Sequence, residues 1–398
     1  MAEIKYFFKE REKRTNNKED YKEKIRKHKM ANVYRIAVIV GILLVMIGIV
    51  AFQYKHHIYT AYDVLLSVDR QKAPDAADIR LDDTILTYSK DGAHCTNTKG
   101  GVNWNQTYEI PDLLLAKSGN TVAIGNYNGR NIYIQNTEKV LGEIVTTMPI
   151  KNIAVSGQGT VTAVLEDTDV TWLNTYDSNG ELIYFGQTRM NESGYPCAIS
   201  LSPNGELLAV SYLLMEAGKL STNIAFYNFG PVGVNQSDYM MSAYTYEDML
   251  VPDIHFMDNE TAFAIGDSRI MFYKGAQKPE SFAERMLEKE IFSVYYSEKY
   301  VGLVFVNDNG ENYYKLEIYN TSGTKITEVE FDLDYRNIFF ENDQVIIYNE
   351  TECIIQTMDG VRKYEGEFHK PVNLMLPANG RFKYLLVTDN SIDTIQLK

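Results

Sequence analysis

The side chains best suited to chemistry are scattered carboxylates and amides, Asp167, Asp169, Asp308, Asn309 and Asp389, together with Tyr195 and Arg130. Gathered on one surface they would form an acidic, hydrogen-bonding rim suited to a cation, an amine-bearing ligand or a basic segment of a protein. Asp and Asn are also ordinary turn residues, so the rim becomes a site only if the fold brings its members together. Other chemistries find less support. The six histidines, His28, His56, His57, His94, His255 and His369, fall into no HExxH or Cys/His grouping, and no metal centre is expected. Neither a GxSxG elbow nor a phosphate loop is present, and no catalytic residue or cofactor is assigned. The stretch VNDNGENYY, Val306 to Tyr314, spaces oxygen ligands around a glycine. It lacks the regular acidic spacing and the distal bidentate Glu of a calcium loop, and reads as a hairpin turn. Cys95, Cys197 and Cys353 lie far apart without CxxC spacing, so the chain is no disulfide scaffold.

The elements that would position these residues are short strands. Beyond about residue 78, apolar or alternating runs are separated by Asn-Gly or Asp-Gly pairs at Asp91, Asn128, Asn179, Asn204, Asn309, Asp359 and Asn379. Glycine accepts positive φ without steric cost, which makes these pairs hairpin turns. One stretch, Glu280 to Glu290, reads instead as an amphipathic helix. Aligned, the strands form units of four with a period of roughly 40 residues. The units begin near Ile79, Leu113, Ile150, Gly194, Ile254, Ile291, Asn337 and Val372. That period predicts an all-β propeller with eight blades, or alternatively seven, in preference to a β-sandwich or two β-domains. The last unit supplies only three strands, and Ala61 to Arg70 is a strand-like orphan that would complete it and close the ring.

In such a ring the innermost strand of each blade runs from the top face to the bottom. Tyr195 then reaches the top from the loop preceding its blade. Arg130, Asp167, Asp169, Asp308, Asn309 and Asp389 reach it from loops between second and third strands. The top could also be plugged by the long loop LLMEAGKLSTN in the fourth blade.

Ahead of the strands lies an uncharged run, Ile36 to Tyr54, closed by Arg35 and Lys55. At about 1.5 Å per residue it can span a hydrocarbon core of about 30 Å. A signal peptide would have a shorter apolar centre and a small-residue cleavage site, neither of which is found. Residues 1–35 carry twelve Lys or Arg against six Asp or Glu, a net of +6, whereas the remainder carries −20. Basic flanks stay in the cytoplasm, so the acidic portion is expected outside the plasma membrane, where its charge opposes nucleic-acid binding. The expected organisation is a basic cytosolic tail over 1–35, a span over 36–54, a juxtamembrane segment with the closing strand over 55–77, and a propeller over 78–398.

The segment YSKDGAHCTNTKGGVNWNQTY, Tyr88 to Tyr108, resembles repeats of quinoprotein-type propellers, with a strand, a turn and a strand ending in Trp104. More closely, VNWNQTY, SGYPCAISLSPNGELLAVSY and FYNFGPVGVN make the chain similar to a family of single-pass membrane proteins of Gram-positive bacteria whose ectodomain has no known function. The resemblance implies an anchored extracytoplasmic propeller and no particular activity. Quinoprotein dehydrogenases hold their cofactor under adjacent cysteines and repeat a tryptophan in most blades. Here adjacent cysteines are absent and only Trp104 and Trp172 remain. The expectation is a non-enzymatic scaffold whose partner is an envelope or membrane protein or a cell-wall component. The alternatives are a sensor for a small solute or glycan, and an enzyme using the top-face carboxylates.

Overall fold

The computed structural model describes residues 2–398 except 169, 217, 309 and 310, and side chains from residue 21 onward except 23, 31 and 237. The chain divides into two compact units, residues 1–57 and 58–398. The first is one helix, Ala2–Lys55. Its portion Lys24–Lys55 is long and apolar enough to cross a membrane, with a window of mean hydropathy 2.8 and none of that window buried in protein. A helix satisfies its own backbone hydrogen bonds, the condition for any segment that enters hydrocarbon.

The second unit is an eight-bladed β-propeller of four-stranded antiparallel sheets. Blades 1 to 7 are sequence-local and occupy 77–107, 113–145, 150–188, 195–247, 253–286, 291–331 and 337–367. Blade 8 takes three strands from the C-terminus, Leu374–Pro377, Lys383–Val387 and Ser391–Leu397, and its outer strand from Tyr62–Asp69. This closing strand runs antiparallel to the last one, from Tyr62 opposite Leu397 to Asp69 opposite Ser391, with a bulge between Val64 and Leu66. The orphan strand therefore closes the ring, and the count is eight rather than seven.

Burial explains why the repeat is legible. A middle strand has a neighbouring blade on each face, so Thr261–Ile265 is buried at every position. Each blade-to-blade seam has its own apolar cluster. Ile134 and Val161 join blades 2 and 3, Leu173 and Val210 join blades 3 and 4, and Phe263 and Leu303 join blades 5 and 6. The closing seam packs Ile85 of blade 1 against Leu376, Val387 and Ile392 of blade 8. Truncating a residue such as Phe263 should cost about 3–5 kcal/mol, because its seam cannot collapse without moving a whole blade.

Two expectations are corrected. Glu280 to Glu290 is no helix: Glu280–Met286 is the outer strand of blade 5, paired with Arg269–Lys274. An outer strand faces solvent, so charges such as Glu284 can pair across it with Arg269 at 3.0 Å, and the residues lose the apolar signature of a strand. The long loop of blade 4 is likewise a hairpin extension, for Leu207–Glu216 and Lys219–Asn228 pair in register to Glu216 opposite Lys219.

Turns fix the register. In SPNGE, Ser202 Oγ accepts the Leu207 N–H at 2.9 Å and the Ser202 carbonyl accepts the Gly205 N–H at 2.8 Å. Gly205 sits at φ 74°, and a Cβ there would lie 2.6 Å from Thr160 Oγ1 of the preceding blade. Only glycine meets both demands.

Candidate functional site

The strand order places the loops before each inner strand, and those between second and third strands, on the top face. There several loop carboxylates have cationic partners of their own. Glu166 pairs with Lys151 at 2.9 Å in blade 3, Asp308 with Lys289 at 3.5 Å in blade 6, and Asp389 with Lys72 at 3.1 Å beside blade 8. Glu350 is bonded to Arg336 in blade 7. Asp167 is exposed and accepts a hydrogen bond from Thr168 Oγ1 at 3.1 Å, and Arg130 is exposed at the end of its turn. Asp169 and Asn309 lie outside the described residues.

Three features do assemble on this face. In the first, Lys151 on the inner strand of blade 3 donates to Asn128 Oδ1 at 2.9 Å and lies 5.4 Å from the centre of the Tyr127 ring. The Glu166 hydrogen bond raises the Lys151 pKa above its ordinary value. Tyr195, which opens blade 4, has its phenol pushed up by burial and then by the Glu166 carboxylate. Tyr195 thus joins a small charged cluster with Lys151, Glu166 and Tyr127, spanning blades 2 to 4.

The second feature locks the ring. Just beyond the closing strand, Arg70 meets Asp78 of blade 1 at 2.9 Å, and Thr87 donates to the same carboxylate at 2.7 Å. The Asp78 side chain has no exposure. Lys72 lies 3.8 Å from Asp78 and also reaches Asp389, which accepts the Asn373 amide at 2.7 Å. Burial, then the Arg70 charge, lowers the pKa of nearby His94 against the opposing pull of Asp78.

The third is an aromatic patch on blade 6. Phe292 is 58% exposed and Tyr313 57% exposed, although both belong to a packed set of rings. Phe292 lies 5.6 Å from Tyr314 and 6.4 Å from Tyr335, and Tyr313 meets Tyr314 edge-on at 4.7 Å. Tyr335 shares a 2.6 Å hydrogen bond with Ser293, and burial pushes its phenol up to about 12. Asp332 accepts the Tyr313 N–H at 2.6 Å. Asp332 and Asp334 are exposed and have no cationic partner among the described residues. Aromatic faces beside carboxylates that lack a cationic partner suit a cationic group, by ring quadrupole and by charge.

Sequence reasoning missed Lys151, Tyr127, Lys289 and Arg336. Their signal is strand order rather than spacing: each cation stands at the start of its blade's inner strand or just before it, and each acid at the end of the second strand or just after it. Among the described residues no group of three or more His, Cys, Asp or Glu could hold a metal ion. Cys95 and Cys353 are buried, Cys197 is half-buried, and all are free.

The solved structure of apo AztD from Citrobacter koseri is 10% identical over 79% of this chain and 95% of its own, with a TM-score of 0.50. BamB from Moraxella catarrhalis is 11% identical over 85% of this chain and 100% of its own, with a TM-score of 0.47. The Cps50 (Swd1) propeller domain of Myceliophteria thermophila is 9% identical over 85% and 100%, with a TM-score of 0.43. At such identities the likeness concerns the fold alone. No curated protein matches the chain significantly. Residues 54–397 match a family of unknown function, and the chain belongs to that family, DUF5711.

Proposed function

We propose that the chain is a membrane-anchored β-propeller of the cell envelope that docks a protein partner on its top face and catalyses no reaction. In this reading the basic tail stays in the cytoplasm, the apolar run spans the membrane, and the acidic propeller lies outside. The charge step from +6 to −20 supports that orientation. The observation that carries the docking reading is the blade 6 patch, where Phe292 and Tyr313 stay exposed beside Asp332 and Asp334. Aromatic anchors ringed by polar groups are the usual core of a protein interface. The chemistry fits a basic segment that sets an Arg or Lys over the rings. Pairing of Glu166, Asp308, Glu350 and Asp389 with cations leaves those carboxylates poorly placed for acid–base work, which weighs against an enzyme.

The test is photo-crosslinking of the full chain in native membranes from a probe at Tyr313, with a probe at Gln158, exposed in a turn of blade 3 on the opposite face, as the control. A discrete adduct from the first position alone, lost in Phe292→Ala, is expected. Equal adducts from both positions, or none from Tyr313, would overturn the reading.

A further inference from the structure

The bottom face carries a cleft of about 1010 Å³ that the docking reading does not use. Turns of two blades form most of its wall: Glu341 to Gln344 and Thr357 to Asp359 from blade 7, and Pro377 to Tyr384 from blade 8. Tyr300 and Ile326 of blade 6 complete it. We infer that this cleft is a binding site for a neutral oligosaccharide.

Composition is the first argument. Lys363, Arg381 and Lys383 balance Glu341, Asp343 and Asp359 in number, so the lining has no net charge to recruit an ion of either sign. Three planar amides, Asn342, Gln344 and Asn379, stand among the rest. Each offers a donor and an acceptor side by side, the pattern that adjacent sugar hydroxyls can match. Between them stand apolar edges, Phe382, Met358 and Ile326, suited to the C–H faces of a pyranose ring. The polar groups are held in place: Tyr300 donates to Asp343 Oδ1 at 2.8 Å, and Tyr384 to Gln344 Oε1 at 2.9 Å.

Backbone strain is the second, independent argument. Phe382 sits at φ 56°, a left-handed conformation that bulky residues avoid. Its carbonyl accepts the Leu397 N–H at 3.1 Å and the Gln396 amide at 3.2 Å, and its ring packs on Tyr59 at 5.2 Å. Such over-determined strain concentrates at functional sites, and Phe382 lines this cleft. Across the cleft, Asn342 and Asp343 adopt φ 49° and 56° in a two-residue turn that tolerates it readily. Phe382 alone among these residues is of a type for which the conformation is costly.

The full chain, purified in detergent, would be tested against an array of neutral oligosaccharides that includes the tetramer of N-acetylglucosamine, with hits measured by calorimetry. Phe382→Gly removes the ring while accepting the left-handed φ, at some cost in packing against Tyr59, and its binding is compared with the parent at a temperature where both are folded. Asp343→Gly removes a polar wall group and accepts the same left-handed φ. At least one saccharide should bind, and each variant should weaken it about tenfold or more. An array with no binder, or a binder indifferent to both substitutions in folded protein, would overturn the inference. Neither outcome bears on the Tyr313 crosslink, because that probe sits on the other face.

Discussion

Along the top face, carboxylates in blades 3, 6 and 7 and beside blade 8 each meet a cation supplied by the loop or strand that begins a blade. Around the bottom cleft the comparable acidic side chains sit in tight turns, Asp343 at φ 56° and Asp359 beside Gly360 at φ 85°. The difference follows from connectivity. Loops on the top include the links between blades, which must hold separate sheets in line, whereas bottom turns only reverse a strand within one sheet. Charge on the top therefore braces the ring and leaves the blade 6 rings as its uncommitted surface. Bottom polar groups line a cavity, Glu341 among them while it meets Arg80 of blade 1 at 2.9 Å.

The strongest way to break this comparison is Asp78→Ala. The substitution strands Arg70, only 11% exposed, without its carboxylate at the junction of the closing strand with blade 1. Leaving one member of a buried pair alone costs about 3–5 kcal/mol. Denaturant unfolding of the full chain in detergent should reveal a loss of that size. A loss under about 1 kcal/mol would mean that the top charges do not brace the ring. Next in size is the double substitution Phe292→Ala with Tyr313→Ala. Partner binding should weaken by about 2 kcal/mol or more while global stability changes far less, since both rings are already mostly exposed. An equal fall in stability would make the patch part of the core instead.

Smaller still is Glu166→Gln, which removes the Lys151 pair between groups 36% and 23% exposed. Half-exposed pairs contribute about 0.2–1 kcal/mol, and the thermal shift should be correspondingly slight. A larger loss would show that the cluster of Tyr127, Lys151 and Tyr195 acts as a unit, as coupled neighbours do in a double-mutant cycle.

Legibility in the sequence followed burial. Units expected near Ile79, Leu113, Ile254 and Asn337 open at Ala77, Leu113, Asp253 and Asn337. Inner and middle strands lie between sheets and must be apolar, and their Asn-Gly or Asp-Gly turns announce positive φ. Outer strands such as Glu280–Met286 answer to solvent on one side and can carry any charge, which is why a helical pattern could arise there. The top residues were assigned to their face by strand parity alone, but their partners were not. Pairs such as Lys289 with Asp308 form only when a blade's second strand returns to its starting level, so spacing along the chain carries little trace of them. The bottom cleft was wholly hidden, because it exists only where turns from blades 6, 7 and 8 meet.

The finest test compares two carboxylates of similar pKa direction on opposite faces. On the top, the Asn373 amide and then Lys72 hold Asp389 below its ordinary value of 3.8. On the bottom, partial burial pushes Asp177 up, but the Glu181 N–H together with the Asn179 side chain and N–H more than offsets it, and its pKa is also lowered. A carboxylate depressed in the folded state stabilises the protein above its unfolded pKa and loses that contribution as pH falls through the folded value. Both Asp389→Asn and Asp177→Asn should therefore flatten the acid limb of stability below about pH 4. Salt separates them. Part of the Asp389 effect comes from the ammonium of Lys72, and at 1 M salt, where screening acts over about 3 Å, it should shrink. Asp177 relies on hydrogen-bond donors that carry no net charge, and its effect should persist. Equal salt sensitivity would mean that the top is not governed by ion pairs after all.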